Sequence, residues 1–332
     1  MGLFSRRGGQ QSSGPGGSGA GQPAGRADIH IMTTGEVAES TDAIARGGLP
    51  LTASERLGSG RRTTSTSTLS PNEFLVLRAL GVEPLAQVMG SSVYQIGYQP
   101  LPYQMQAGMM MGGGMIPSSV LQVQTDAVNR CRELAIGRLM EEAMAVGADA
   151  VVAVNISSTA LSFGSSTVDT SISGTAIRYG EGSRPKSKLN QPALTNLSGA
   201  EVIQLLTNGF HPVGLLASSV FYFAPLMSVF GVGQVGGSIF AGGAWGGNFE
   251  VTSLSHAVRD SQRIVQRDIS RKAKEMGAAG VVGAALTTTA RPYGEERVQA
   301  VYYFSSIFAT AIAEGGAGKT PSPPTMNLDL GV

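Results

Sequence analysis

The chain has 332 residues, 42% of them hydrophobic, enough apolar material for two modest domains. A formal net charge of +1 gives no electrostatic case for nucleic acid, and a single cysteine excludes an intrachain disulfide framework and any cysteine-cluster zinc site. Charged residues make up only 14% and glycines number 46, so a surface short of charge is expected, suited to burial between subunits or against something apolar. A reducing cytoplasm fits the cysteine usage, and Met1 to Gly25 lacks the apolar core of a signal peptide.

Residues 1–68 are rich in Gly, Ser and Arg and read as a mostly disordered tail, because they cannot bury enough apolar surface to offset the entropy of ordering. Within it Ile29 to Met32 is an apolar island, and Leu51 to Leu57 has the makings of a brief helix capped by Thr52 or Ser54. Order is expected from Leu69. Ser70-Pro71-Asn72-Glu73 is a capping box with proline at the first helical position; Phe74, Leu77 and Leu80 line one face, and Gly81 ends the helix. A strand over Leu85 to Tyr94 follows. Between Pro84 and Thr125 no residue is charged.

From Asp126 the residues Val128, Cys131, Ala135, Leu139, Ala143 and Val146 fall on one helical face. Gly147 sits where that helix should stop, and Ala150 to Val154 read as a buried strand. A last strand runs over about Thr170 to Tyr179. The same order then returns. Ala127, Gly147 and Val152 match Ala257, Gly277 and Val282, each pair 130 residues apart; Gly81 and Pro84 match Gly209 and Pro212, 128 apart. The second copy places strands at Val213 to Phe223, Gly280 to Ala285 and Gln299 to Ala313, and its own uncharged stretch between Pro212 and Asn248. Residues 69–180 and 197–313 are therefore read as two modules, 181–196 as a linker, and 314–332 as a disordered Gly/Pro tail.

A strand, a long uncharged loop, a helix ending in Gly147-Ala148-Asp149-Ala150-Val151-Val152, and a strand closing on Ser173-Gly174-Thr175-Ala176-Ile177 together resemble the YbjQ family (UPF0145), which carries the label "putative heavy-metal-binding domain". The resemblance covers Gly81 to Tyr179 closely and Gly209 to Ala313 more loosely, since Gly277-Ala278-Ala279-Gly280 lacks the aspartate. It implies an α+β chain of two tandem YbjQ-like modules, each a helix packed on a three-stranded antiparallel sheet, flanked by disordered tails and assembling into pentameric rings. With two modules per chain, five chains would form two stacked rings.

For chemistry, the thioethers of Met105, Met109, Met110, Met111 and Met115 are soft donors suited to Cu(I), although methionine is also a common filler of adaptable interfaces. Asp149, in the turn between helix and strand, is a candidate for a hard cation or for a turn hydrogen bond. Cys131 reads as a buried thiol, and His30, His211 and His256 have no metal-like spacing. The run Ala313 to Thr320 approaches a phosphate-binding loop, but Pro321, Pro323 and Pro324 deny it the helix that such a loop needs. No nucleophile is paired with a base, so no enzyme is expected. The aromatic residues Tyr98, Tyr103, Phe230, Phe240 and Trp245 of the uncharged loops are expected at subunit contacts. The expectation is a cytoplasmic, non-enzymatic, ring-forming oligomer that holds a metal ion or small ligand at its interfaces or serves as a scaffold. The alternative is a peripheral membrane contact made by those loops.

Overall fold

The computed structural model describes residues 32–46, 48–60, 67–97, 118–159, 167–180, 191–225, 250–293 and 300–315. The chain is α+β, as the sequence predicts. Its first half holds α3 (Pro71–Ala79), β1 (Glu83–Gln95), α4 (Gln122–Ala145), β3 (Ala150–Thr159) and β4 (Thr167–Arg178). Its second half holds α5 (Gly199–Thr207), β6 (Phe210–Pro225), α6 (Thr252–Glu275), β7 (Gly280–Tyr293) and β8 (Ala300–Glu314). Two-residue strands, β2 (Ser119–Val120) and β5 (Ala193–Leu194), complete the sheets.

Each sheet has four strands rather than the expected three, in the orders β1-β4-β3-β5 and β2-β6-β8-β7. The fourth strand comes from the other half in both cases. β5 pairs parallel with β3, and β2 pairs antiparallel with β6. A strand of two residues has no periodicity to betray it, so neither could be read from the sequence. Ala193 to Asn196 consequently belong to the fold and not to a linker.

The long helices begin four residues before the expected starts. Neither has a side-chain cap: Leu121 and Val251 hold the N-cap position with nearly the same backbone angles. At the other end Gly147 and Gly277 take φ of 70° and 67°, the left-handed turn that lets the chain leave the helix and enter a strand. Helix α4 buries Val128, Cys131, Ala135, Leu139 and Ala143 on β1 and β4; α6 buries Ala257, Ser261, Val265, Ile269 and Ala273 on its own sheet. Both first strands shift register after a proline, between Pro84 and Ala86 and between Pro212 and Gly214. Val88 then faces Gly174, and Leu216 faces Ala309. That places Ser92 opposite the position of Val220, so the shared Ser-Ser-Val triplets are one residue out of structural step.

The segment read as a mostly disordered tail contains two helices, α1 (Thr34–Ala45) and α2 (Leu51–Gly60). α1 is started by a capping box between Thr33 and Glu36. α2 buries Ala53 and Leu57, and its Arg56 donates to the Gln87 carbonyl at 2.7 Å and pairs with Glu142. Glu142 also accepts the Met89 N–H at 2.7 Å. α2 matches the brief helix expected at Leu51 to Leu57; α1 was not expected, and the anchor of α2 lies 86 residues away in the chain.

Gly90 on β1 is where α4 comes closest. A Cβ there would meet the carbonyl oxygen of Ala135, with the Leu139 nitrogen at 2.7 Å, and both obstacles are backbone. Gly90→Ala is expected to lower stability by about 3 kcal/mol, read as a fall in the urea midpoint at constant m-value. A loss below about 1 kcal/mol would mean that the helix lifts off the strand freely.

Candidate functional site

Of the residues singled out from the sequence, Met105, Met109, Met110, Met111, Met115, Tyr98, Tyr103, Phe230, Phe240 and Trp245 lie outside the described residues. Asp149 lies within them, in the turn between α4 and β3. Its carboxylate accepts the Tyr179 N–H at 2.9 Å, its own N–H donates to the Ile177 carbonyl at 2.9 Å, and its carbonyl accepts the Ala193 N–H at 3.1 Å. Asp149 thus fastens the end of one strand to the start of another. Burial, with Asp149 nearby, pushes the Tyr179 hydroxyl pKa well above its ordinary value. Cys131 is fully buried and lies 3.2 Å from the Ser92 carbonyl. Among the described residues no group of three His, Cys, Asp or Glu is placed to hold a metal ion, and no helix is long and apolar enough to cross a membrane.

The richest polar geometry is instead the junction between the halves. It satisfies two strand edges at once. On the β3 edge, Thr195 N–H donates to the Val151 carbonyl at 2.9 Å, Val154 N–H to Thr195 at 3.0 Å, and Ala153 N–H to Leu197 at 2.7 Å. On the β6 edge, Leu121 N–H donates to the Phe221 carbonyl at 2.8 Å, and Phe221 N–H donates to Thr125 Oγ1 at 3.0 Å. Asn129 of α4 then imitates a strand: its Oδ1 accepts the Ser219 N–H at 3.1 Å, and its Nδ2 donates to the Ser219 carbonyl at 2.9 Å. One turn on, Arg132 donates to Ser219 Oγ at 2.7 Å and lies 4.8 Å over the Phe308 ring. Burial pushes its pKa down to about 10.

Behind these bonds an apolar cluster is shared between the halves: Leu77, Val152 and Ile177 from the first with Leu197, Val202 and Ile203 from the second. Leu77 of α3 rests directly on Gly199, where a Cβ would stand 2.8 Å from its Cδ1. Each entry segment is also tied to a buried threonine in the last strand of its own half. Thr68 N–H donates to Thr175 Oγ1 at 3.0 Å, and Asn196 N–H donates to Thr310 Oγ1 at 3.2 Å.

The equivalent positions at the outer ends of the chain are more exposed. β7 has no strand beyond it among the described residues, and its Val281 is 38% exposed where Val151 of β3 is fully buried. Leu75 on α3 is 64% exposed where Ile203 on α5 is 9% exposed. Val93 on β1 is 72% exposed. The sequence reading missed the junction residues because Thr125, Asn129 and Arg132 are ordinary helix-surface types. The signal that could have pointed to the junction was a position-by-position comparison of the two halves: Ile203 and Leu75 are both apolar, yet each lies outside the expected core face of its short helix.

Comparison with known proteins gives two findings. Residues 113–180 match the family described as "Putative heavy-metal-binding", with the YbjQ designation. An encapsulin nanocompartment protein of Mycobacterium tuberculosis is 31% identical over 276 residues, which is 82% of this chain and 94% of that protein. Neither description names an enzyme, in agreement with the sequence. The relative overturns the expected function, a ring that binds a metal or small ligand or rests on a membrane, because it is named for a compartment and spans both halves. The family match covers one span within the first half, which includes the helix-turn-strand passage around Asp149.

Removing the Asp149 carboxylate leaves the Tyr179 N–H, part-buried, without its acceptor. Asp149→Ala is expected to cost about 1–3 kcal/mol in chemical denaturation, and Asp149→Asn, which keeps an oxygen in place, clearly less. Equal losses for the two would show that the charge, not the hydrogen bond, matters.

Proposed function

We propose a function for this chain from the family to which it belongs, that of the mycobacterial encapsulin nanocompartment protein: it is a self-assembling structural subunit of a protein compartment. The relation across 94% of that relative carries the reading, since it includes both halves and the junction between them. The surface supports it. An edge strand with apolar side chains and unpaired backbone groups is a liability for a lone molecule and a ready contact for an assembled one.

The two halves are, in this reading, two copies of one YbjQ-like module. Equal lengths of α4 and α6, matching proline register shifts and matching capping boxes at Ser70 and Ser198 support that relation. A cytoplasmic location suits a chain whose one cysteine, Cys131, is free and buried.

Purified full-length chain, run on size exclusion with light scattering and imaged by negative stain, is expected to show uniform particles of many times the 34.2 kDa chain mass. A single 34.2 kDa species at tens of micromolar would end this reading.

A further inference from the structure

The chain carries inside itself the template of a contact that its outer ends leave unmade. Within one chain, the second half presents its entry segment, Thr195 to Leu197, and the edge of β6; the first half presents the β3 edge and the start of α4. Moving each group to its counterpart in the other half, 128 residues back for the presented segment and 130 forward for the receiving one, gives two faces. The first consists of Ser67 to Leu69, α3 and the β1 edge at Val93. The second consists of the β7 edge and the start of α6 at Val251 and Ser255.

We propose that a second copy of this chain docks its first face on the second face of the copy before it, repeating between chains the junction that joins the halves within a chain. The inference rests on the compartment reading and names the surface by which it is achieved.

The backbone groups needed are in place. By the template, Ser67 N–H donates to the Val281 carbonyl, Ala284 N–H to Ser67, Gly283 N–H to Leu69 and Val251 N–H to the Val93 carbonyl. Gly283 takes φ of 62°, the same left-handed conformation as Ala153 at 52°, so the edge is bulged in the same way to receive a partner. Ser67 and Thr68 are already fixed against Thr175, at 3.2 and 2.8 Å between hydroxyls, as Thr195 is fixed against Thr310 at 2.8 Å. The presented segment is therefore held in the docking conformation before a partner arrives, which lowers the entropic cost of association.

The side chains agree. Leu75 takes the place of Ile203, which is buried in the cluster between the halves, and Val93 that of Phe221. Leu286, 36% exposed on β7, takes the place of Ile156, which packs with Leu215 against the first core. A lone chain thus exposes, on these two faces and nowhere in its interior junction, residues whose counterparts are covered. The contact is head-to-tail, since the faces differ, so each copy retains one of each and association can continue until it closes on itself.

The test uses full-length chains disabled on one face. Leu75→Glu with Val93→Glu spoils the first face; Leu286→Glu spoils the second, and Ala284→Pro is a second way to do so by removing one outward N–H. All four positions are solvent-exposed, so circular dichroism and melting should match wild type. Each variant alone is expected to associate at least ~10-fold more weakly than wild type in sedimentation velocity. Mixed in equal amounts, a first-face variant and a second-face variant should form a one-to-one pair and stop there, because each supplies the intact face the other lacks. Wild-type assembly with variants that assemble equally well, or folded variants that fail to pair when mixed, would overturn the inference and leave the compartment reading standing. A monomeric wild type would overturn both.

Discussion

The constraint on which this structure depends is the unpaired backbone at the edge of a sheet. A three-stranded sheet with one covering helix has two edges, and each edge offers a row of N–H and C=O groups that must find partners or water. Here the inner edges are met by very short means. Two residues of β5 cover β3, and two residues of β2 with Thr125 and Asn129 cover β6. Because each cover comes from the opposite half, satisfying the edges also fixes how the halves sit against each other.

The outer edge of β1 is met differently, by charged side chains. Arg56 and Arg138 donate to the carbonyls of Gln87 and Ser91, and Glu142 accepts the Met89 N–H. The same point on β6 has the opposite arrangement, with Lys272 donating to the Ala217 carbonyl at 2.8 Å. Positions 142 and 272 are equivalent, as are 89 and 217. A strand residue turns its N–H and C=O to the same side, so an acid and a base can cap the same residue through different atoms. The same order of helix and strand in the two halves therefore does not require the same charge at matching positions.

The two halves differ most where they face different surroundings. Helix α4 is wedged between two sheets and buries Thr125, Arg132 and Glu142, each with a specific partner. Helix α6 has one sheet beneath it, buries only a narrow stripe, and carries Arg263, Arg267 and Arg271 on its outer side. The Arg132 guanidinium is buried at the junction, where a serine hydroxyl and an aromatic face meet it.

The sequence by itself determined the α+β class, the two long helices, the glycine at which each stops, and the three principal strands of each half. All of these rest on local periodicity or on a backbone conformation that only glycine adopts cheaply. It read residues 1–68 as mostly tail with a brief helix at Leu51 to Leu57, where the structure has α1, started by a capping box, and α2, whose Arg56 meets a distant glutamate; and it gave Ala193 to Asn196 to a linker. Only the tertiary structure decided that β5 and β2 exist, that Asn129 completes a strand edge, and that Leu75 and Val93 are bare while Ile203 is covered. These outcomes depend on which edge lies next to which. Edge pairing is a relation between backbones far apart in the chain, and it leaves no mark on the composition or spacing of the residues that make it.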